Sequence, residues 1–170
     1  MSTRTIMIFP EIEDIKIIDA IREKYDPLAG LVRPHITIVF PFESPMSNGD
    51  IEEILAERLK NIKPFELVLN GTTKSKDQFG NYLFLDVKKG NEEITSMHDV
   101  LYRNEFREYD LGLGYKPHMT VGKLPTAEAL ETAYEEVKAV DINVRTIVNK
   151  ISVEMIGENE ESIIIIEHAL

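Results

Sequence analysis

Pro34-His35-Ile36-Thr37-Ile38 and Pro117-His118-Met119-Thr120-Val121 are two copies of one phrase, set about half the chain length apart. The chain has only 4 His in 170 residues, and two of them fall in these matched frames, so chance composition is a poor explanation. In a β-strand successive side chains alternate faces, so residues i and i+2 point the same way with Cα atoms about 6–7 Å apart. His35 and Thr37 therefore share one face while Ile36 and Ile38 take the other, and His118 and Thr120 do the same opposite Met119 and Val121. Each proline fixes its own φ and biases the residue before it, Arg33 or Lys116, toward extended backbone. Both strands are entered already stretched.

Working outward, the two halves read in the same order. Thr5 to Phe9 is a buried strand, and Glu13 to Tyr25 spaces Ile15, Ile18, Ile21 and Tyr25 as an amphipathic helix that ends before Pro27 and Gly30. After the first motif strand, Ser47 to Ile62 predicts a second helix, with Asp50 as its N-cap and Glu53 three residues on. Phe65 to Asn70 alternates like a strand, and residues 71–80 read as a polar, turn-rich connector. In the second half Tyr82 to Val87 is a strand, Asn91 to Phe106 a helix, and Tyr109 to Lys116 a loop. The second motif strand is followed by a helix opened by Pro125 and Thr126, then by strands over Asn143 to Met155 and Ser162 to His168 around a turn at Gly157 to Asn159. The expected fold is α+β: a duplicated, bilobal single domain over 1–170, with lobe-forming repeats at about 1–75 and 80–170. Two antiparallel sheets with outer helices, related by a pseudo-twofold, would face one another across a central cleft.

Composition narrows the function. With 0 Cys there is no disulfide framework, thiol nucleophile or cysteine-ligated zinc, and no apolar run is long enough for a signal peptide or a bilayer span. A soluble, cytoplasmic monomer without membrane partners is expected. The balance of 19 basic against 30 acidic residues argues against a broad grip on long duplex nucleic acid, where Lys and Arg supply most of the affinity. A small anionic ligand, or the end of a strand, needs only a local positive pocket.

Two imidazoles and two hydroxyls converging on a groove suit proton transfer on a phosphodiester. One neutral His takes a proton from the attacking oxygen, a protonated one gives a proton to the leaving oxygen, and Thr hydroxyls hold the non-bridging oxygens. That chemistry requires no metal or other cofactor. Arg33 and Lys116 sit at the same offset before each His and are candidates to attract phosphate, while Tyr115 and Phe42 are candidates to stack on a base. Phe40 is expected in the core, His98 in a structural position, and His168 in no role. A transition metal held between His35 and His118 is a weaker alternative, because no carboxylate sits at a comparable repeated offset.

On these motifs the chain resembles the 2H phosphoesterase superfamily, the group that includes 2′-5′ RNA ligase-like proteins. RPHITIVF is similar to the family's first motif and YKPHMTVGK to its second, and YDPLAGLVRPHITI resembles bacterial phosphoesterases of the group. The resemblance implies a bilobal fold and metal-independent reaction at 2′,3′-cyclic phosphates or 2′-5′ phosphodiesters of RNA ends and small nucleotides. It implies that His35 and His118 transfer protons and that Thr37 and Thr120 hold the phosphate. Lys123 stands where many relatives carry Arg, which keeps the charge but loses the bidentate fork. A nucleotide-binding module without turnover is the competing expectation.

Overall fold

A computed structural model describes residues 1–170. Eight strands form two four-stranded antiparallel sheets, one in the order β2-β1-β7-β8 and the other in the order β5-β4-β3-β6. The first is built from β1 (Thr3–Ile8), β2 (Ile36–Glu43), β7 (Lys150–Ile156) and β8 (Ser162–Ala169). The second is built from β3 (Phe65–Asp77), β4 (Gly80–Lys89), β5 (His118–Leu124) and β6 (Asn143–Val148). Between them run α1 (Ile15–Tyr25), α2 (Asn48–Arg58), α3 (Asn91–Tyr102) and α4 (Ala127–Val137). None of these helices is long and apolar enough to cross a membrane.

The α+β architecture with two antiparallel sheets and flanking helices is as expected, but the sheets are not the two halves of the sequence. β3, from the first half, pairs with β4 and β6 in the second sheet, and β7 and β8, from the second half, complete the first. The division at about 1–75 and 80–170 therefore does not separate the sheets. Its cause is local: residues 71–80 do not form a loose connector. β3 continues through Gly71 to Asp77, and Asp77 Oδ1 accepts hydrogen bonds from the Phe79 and Gly80 amides, closing a hairpin onto β4. A two-residue turn leaves the next strand no choice but to pair antiparallel. Asn143 to Met155 likewise divides at Asn149, because β6 and β7 serve different sheets.

Helices tie the sheets together crosswise. α1 packs on β5, and α3 packs on β2, so each motif strand is backed by a helix from the other half. Gly122 makes the first of these contacts possible, since a Cβ there would stand 3.1 Å from Tyr25 Cβ. One apolar cluster of 33 buried residues runs through both sheets, including Ile36 and Ile38 of β2 and Met119 and Val121 of β5. The alternation that buries these four turns the polar members of the motifs the other way. α2 is capped by Ser47, not Asp50: Ser47 Oγ accepts from the Asp50 amide at 3.1 Å, and Asp50 Oδ2 accepts from the Ser47 amide at 2.7 Å. The reciprocal pair satisfies two amides that the first turn leaves without partners.

Candidate active site

Both motif histidines are held by the same bond. His35 Nδ1 lies 2.8 Å from the Arg33 carbonyl, and His118 Nδ1 lies 2.7 Å from the Lys116 carbonyl. A carbonyl oxygen only accepts, so each Nδ1 carries the proton and donates it. Each neutral ring therefore presents Nε2 as a free lone pair, the form a general base needs. Burial pushes the pKa of both rings below the ordinary histidine value. For His35 the nearby Arg22 charge pushes further down, while the Arg33 carbonyl, Glu154 and Asp26 pull up. For His118 the charges on His35 and Lys116 push further down, while the Lys116 carbonyl and Asp86 pull up. The two rings are near enough to feel each other's charge.

Thr37, His118 and Thr120 line one cavity of about 690 Å³. His35 is not among the residues that line it; it lies two residues before Thr37 in the chain, with its ring 6.0 Å from Phe9. Lys116, Lys123 and Tyr115 also line the cavity. Neither Lys116 nor Lys123 is engaged by a carboxylate, whereas Lys74 on the same wall is held by Glu131 at 2.8 Å. Tyr115 is less free than the sequence suggests, because its hydroxyl donates to the Thr37 carbonyl at 2.8 Å and its ring lies parallel to His98 at 3.7 Å. Tyr115 thus joins the loop that enters β5 to the strand β2. His98, in turn, donates from Nδ1 to Asp99 Oδ1 at 3.0 Å, consistent with a structural position.

Two expected binding residues lie elsewhere. Phe42 is 3% exposed and packs in the core against Phe106 and Tyr109, with ring centroids 5.0 and 5.4 Å away. Phe40, expected in the core, reaches the cavity while its other side rests on the core. Two register shifts between β1 and β2, around Ile6 and Val39, insert extra residues in β2 and break the alternation that relates His35 and Thr37 to the aromatics downstream. Arg33 lies outside the cavity, its guanidinium 4.4 Å from the Phe9 ring centroid.

Sequence reading missed the floor of the cavity. Phe84 is paired across the strands with Thr120, and Asp86 with His118. Phe84 stacks on the His118 ring at 3.7 Å and 24°, and Tyr82 stacks beside Phe84 at 5.7 Å. Thr73 donates to Asp86 Oδ2 at 2.6 Å, and Phe79 stands 48% exposed at the hairpin tip. The signal was present: Tyr82, Phe84 and Asp86 occupy every second position of β4. Only the pairing register shows that this face is the one His118 shares.

Comparison with known proteins places the chain. A model of the 2′-5′ RNA ligase superfamily matches residues 8–159. A Bacillus cereus protein named "Putative phosphoesterase" is 34% identical over 125 residues, covering 69% of this chain and 67% of its own. A similarly named Staphylococcus epidermidis protein is 29% identical over 157 residues, covering 88% of each chain. Among solved structures, a phosphoesterase crystal structure matches 100% of this chain and 99% of its own with a TM-score of 0.59 at 15% identity. Escherichia coli LigT complexed with ATP matches with a TM-score of 0.57 at 15% identity, covering 99% of this chain and 98% of its own. LigT complexed with 3′-AMP matches at 0.58 and 14% identity, covering 99% and 97%.

Proposed function

This chain belongs to the 2′-5′ RNA ligase superfamily, and from that premise we propose that it is a phosphoesterase that opens 2′,3′-cyclic phosphates or cleaves 2′-5′ phosphodiesters in small nucleotides or RNA ends. His35 and His118 exchange the protons, Thr37 and Thr120 donate hydrogen bonds to the phosphate oxygens, and no metal takes part. The observation that carries this reading is the matched Nδ1–carbonyl bond on the two histidines, which leaves both Nε2 atoms without a hydrogen-bond partner, with His118 and both threonines lining one cavity. Acid and base groups placed in this way contribute roughly 10²–10⁴-fold each. Lys116 and Lys123 attract the anion locally despite the net charge of −11. That LigT is seen with ATP and with 3′-AMP supports a small nucleotide as the ligand class. The protein works as a cytoplasmic monomer with its active site in one domain.

The test is hydrolysis of adenosine 2′,3′-cyclic phosphate and a 2′-5′ diadenylate in the presence of EDTA by wild type, His35→Ala and His118→Ala. Wild-type turnover that falls at least a hundredfold in each variant is expected. Full activity in either variant sinks the acid–base roles. Saturable nucleotide binding with no product leaves a binding module in their place.

A further inference from the structure

The two motif strands are related by sequence, but the surfaces in front of them are not alike. On the first sheet, the residue paired with Thr37 is Met7, and Met7 in turn pairs with Ser152, while Thr5 pairs with Glu154. Met7, Thr5, Ser152 and Glu154 are all at most 6% exposed. Val32 packs with Phe9 and Met7 in a small apolar cluster on this side. The short α1–β2 connection is pinned there: Arg22 binds Asp26 at 3.0 Å and the Val32 carbonyl at 2.8 Å, and the Ser162 amide donates to Leu31. On the second sheet, the matching positions are Phe84, Thr73, Tyr82 and Ser75, and all four line the open cavity. The longer α3–β5 connection does not cover them but forms a side wall through Leu111, Leu113, Tyr115 and Lys116.

A nucleoside attached to a phosphate held by Thr37 and Thr120 has room on one side alone. We infer that the nucleoside lies over the second sheet, against Tyr82, Phe84 and Phe79, so that His118 is the general acid and His35 the general base. This assignment rests on the phosphoesterase reading above and breaks the symmetry that the two identical motifs present. The leaving oxygen belongs to the ribose, and the ribose is on the His118 side. Water reaches the phosphorus from the opposite side, next to His35, as an in-line displacement requires. As the new P–O bond forms, water gives its proton to His35 Nε2. As the P–O bond to the ribose breaks, the His118 imidazolium gives its Nε2 proton to that oxygen, leaving a nucleoside phosphomonoester.

The neighbours of each ring agree with this division. A protonated His118 rests on the face of Phe84, where the ring quadrupole attracts a cation, and stands across the strand from Asp86. His35 lacks such a stacked face, and the Glu154 and Asp26 charges that favour its protonation are opposed by Arg22. Its aromatic neighbour Phe9 already carries the Arg33 guanidinium, and the buried Arg22 disfavours a second positive charge.

A substrate whose leaving atom needs no proton separates the two roles. Wild type, His35→Ala and His118→Ala are assayed on adenosine 2′,3′-cyclic phosphate and on its analogue with sulfur in place of the bridging oxygen that the wild type expels. His35→Gln and His118→Gln repeat the comparison, and circular dichroism checks that each variant is folded. The expected result is that sulfur restores at least a hundredfold to the His118 variants and none to the His35 variants. Restoration in the His35 variants, in both, or in neither overturns the assignment. A wild type inert on every nucleotide phosphodiester overturns the phosphoesterase reading itself. In a second arm, Tyr82→Ala raises KM for the adenosine substrate about tenfold and leaves KM for a base-free cyclic phosphate as it was. An equal change for both substrates places the nucleoside elsewhere.

Discussion

At the scale of single residues, chemistry follows from how each imidazole is buried. Desolvation disfavours the charged ring, so both His35 and His118 hold pKa values below 6.5 in the free protein. On the proposed acid–base reading, productive enzyme needs one ring charged and one neutral, so the fraction in that state peaks between the two depressed values. We expect a bell-shaped profile of kcat/KM, which reports the free enzyme, with its maximum on the acid side of pH 6.5. A maximum at pH 8 or above would rule out a histidine pair as the titrating groups. The same shift bears on stability. Below pH 6.5 the unfolded chain takes up protons that the folded rings resist, so these two residues make stability fall as pH drops from 6.5 through their native values. Replacing both with Gln should flatten that part of a pH–Tm curve.

At the scale of elements, the site depends on contacts that cross between the halves. The Tyr115 hydroxyl bound to the Thr37 carbonyl fixes the loop entering β5 against β2. Tyr115→Phe removes one hydrogen bond and leaves the carbonyl short of a partner, a loss of about 1 kcal/mol. We expect a modest drop in denaturation midpoint and a lower kcat, with the fall in kcat outlasting any correction for unfolded protein; unchanged kcat would show that the tie does not set the geometry. Gly90, at the junction of β4 and α3, has φ +96°, and a Cβ there would stand 2.9 Å from the Glu66 carbonyl oxygen. Gly90→Ala should destabilise by at least about 1–2 kcal/mol from the left-handed backbone alone, read by chemical denaturation. The helices and strands were legible in the sequence because each announces itself locally: Ile15, Ile18 and Ile21 by helical spacing, the motif strands by alternation. The extension of β3 past Asn70 was not, because Thr72, Thr73 and Lys74 are held as a strand by pairing with β4, and polar side chains there face a cavity instead of a core.

At the scale of the whole molecule, the apolar core is continuous through both sheets, and the crosswise packing of α1 on β5 and α3 on β2 leaves neither sheet a separate core. Unfolding should therefore be one transition. Leu85→Ala, at a fully buried position, should cost about 2–5 kcal/mol and shift far-UV circular dichroism and tyrosine fluorescence by the same amount; two separated transitions would contradict a shared core. Charge sets a second expectation. With Lys116 and Lys123 as the two unpaired cations on the cavity wall, binding of a short single-stranded oligonucleotide should weaken with salt at a slope of about −1.4, from roughly 0.7 per phosphate contact. A slope steeper than about −4 would demand a basic surface that a chain of net charge −11 does not carry. By itself the sequence determined the α+β class, the two histidine–threonine strands and the family, because repeats, helical spacing and strand alternation are written between near neighbours. Tertiary structure alone decided that β3 and the β7–β8 pair change sheets, that Phe42 turns inward, and that one of two matched faces is filled while the other stays open. Those outcomes depend on pairing register, bulges and the lie of connecting loops, which are settled between residues far apart in the chain.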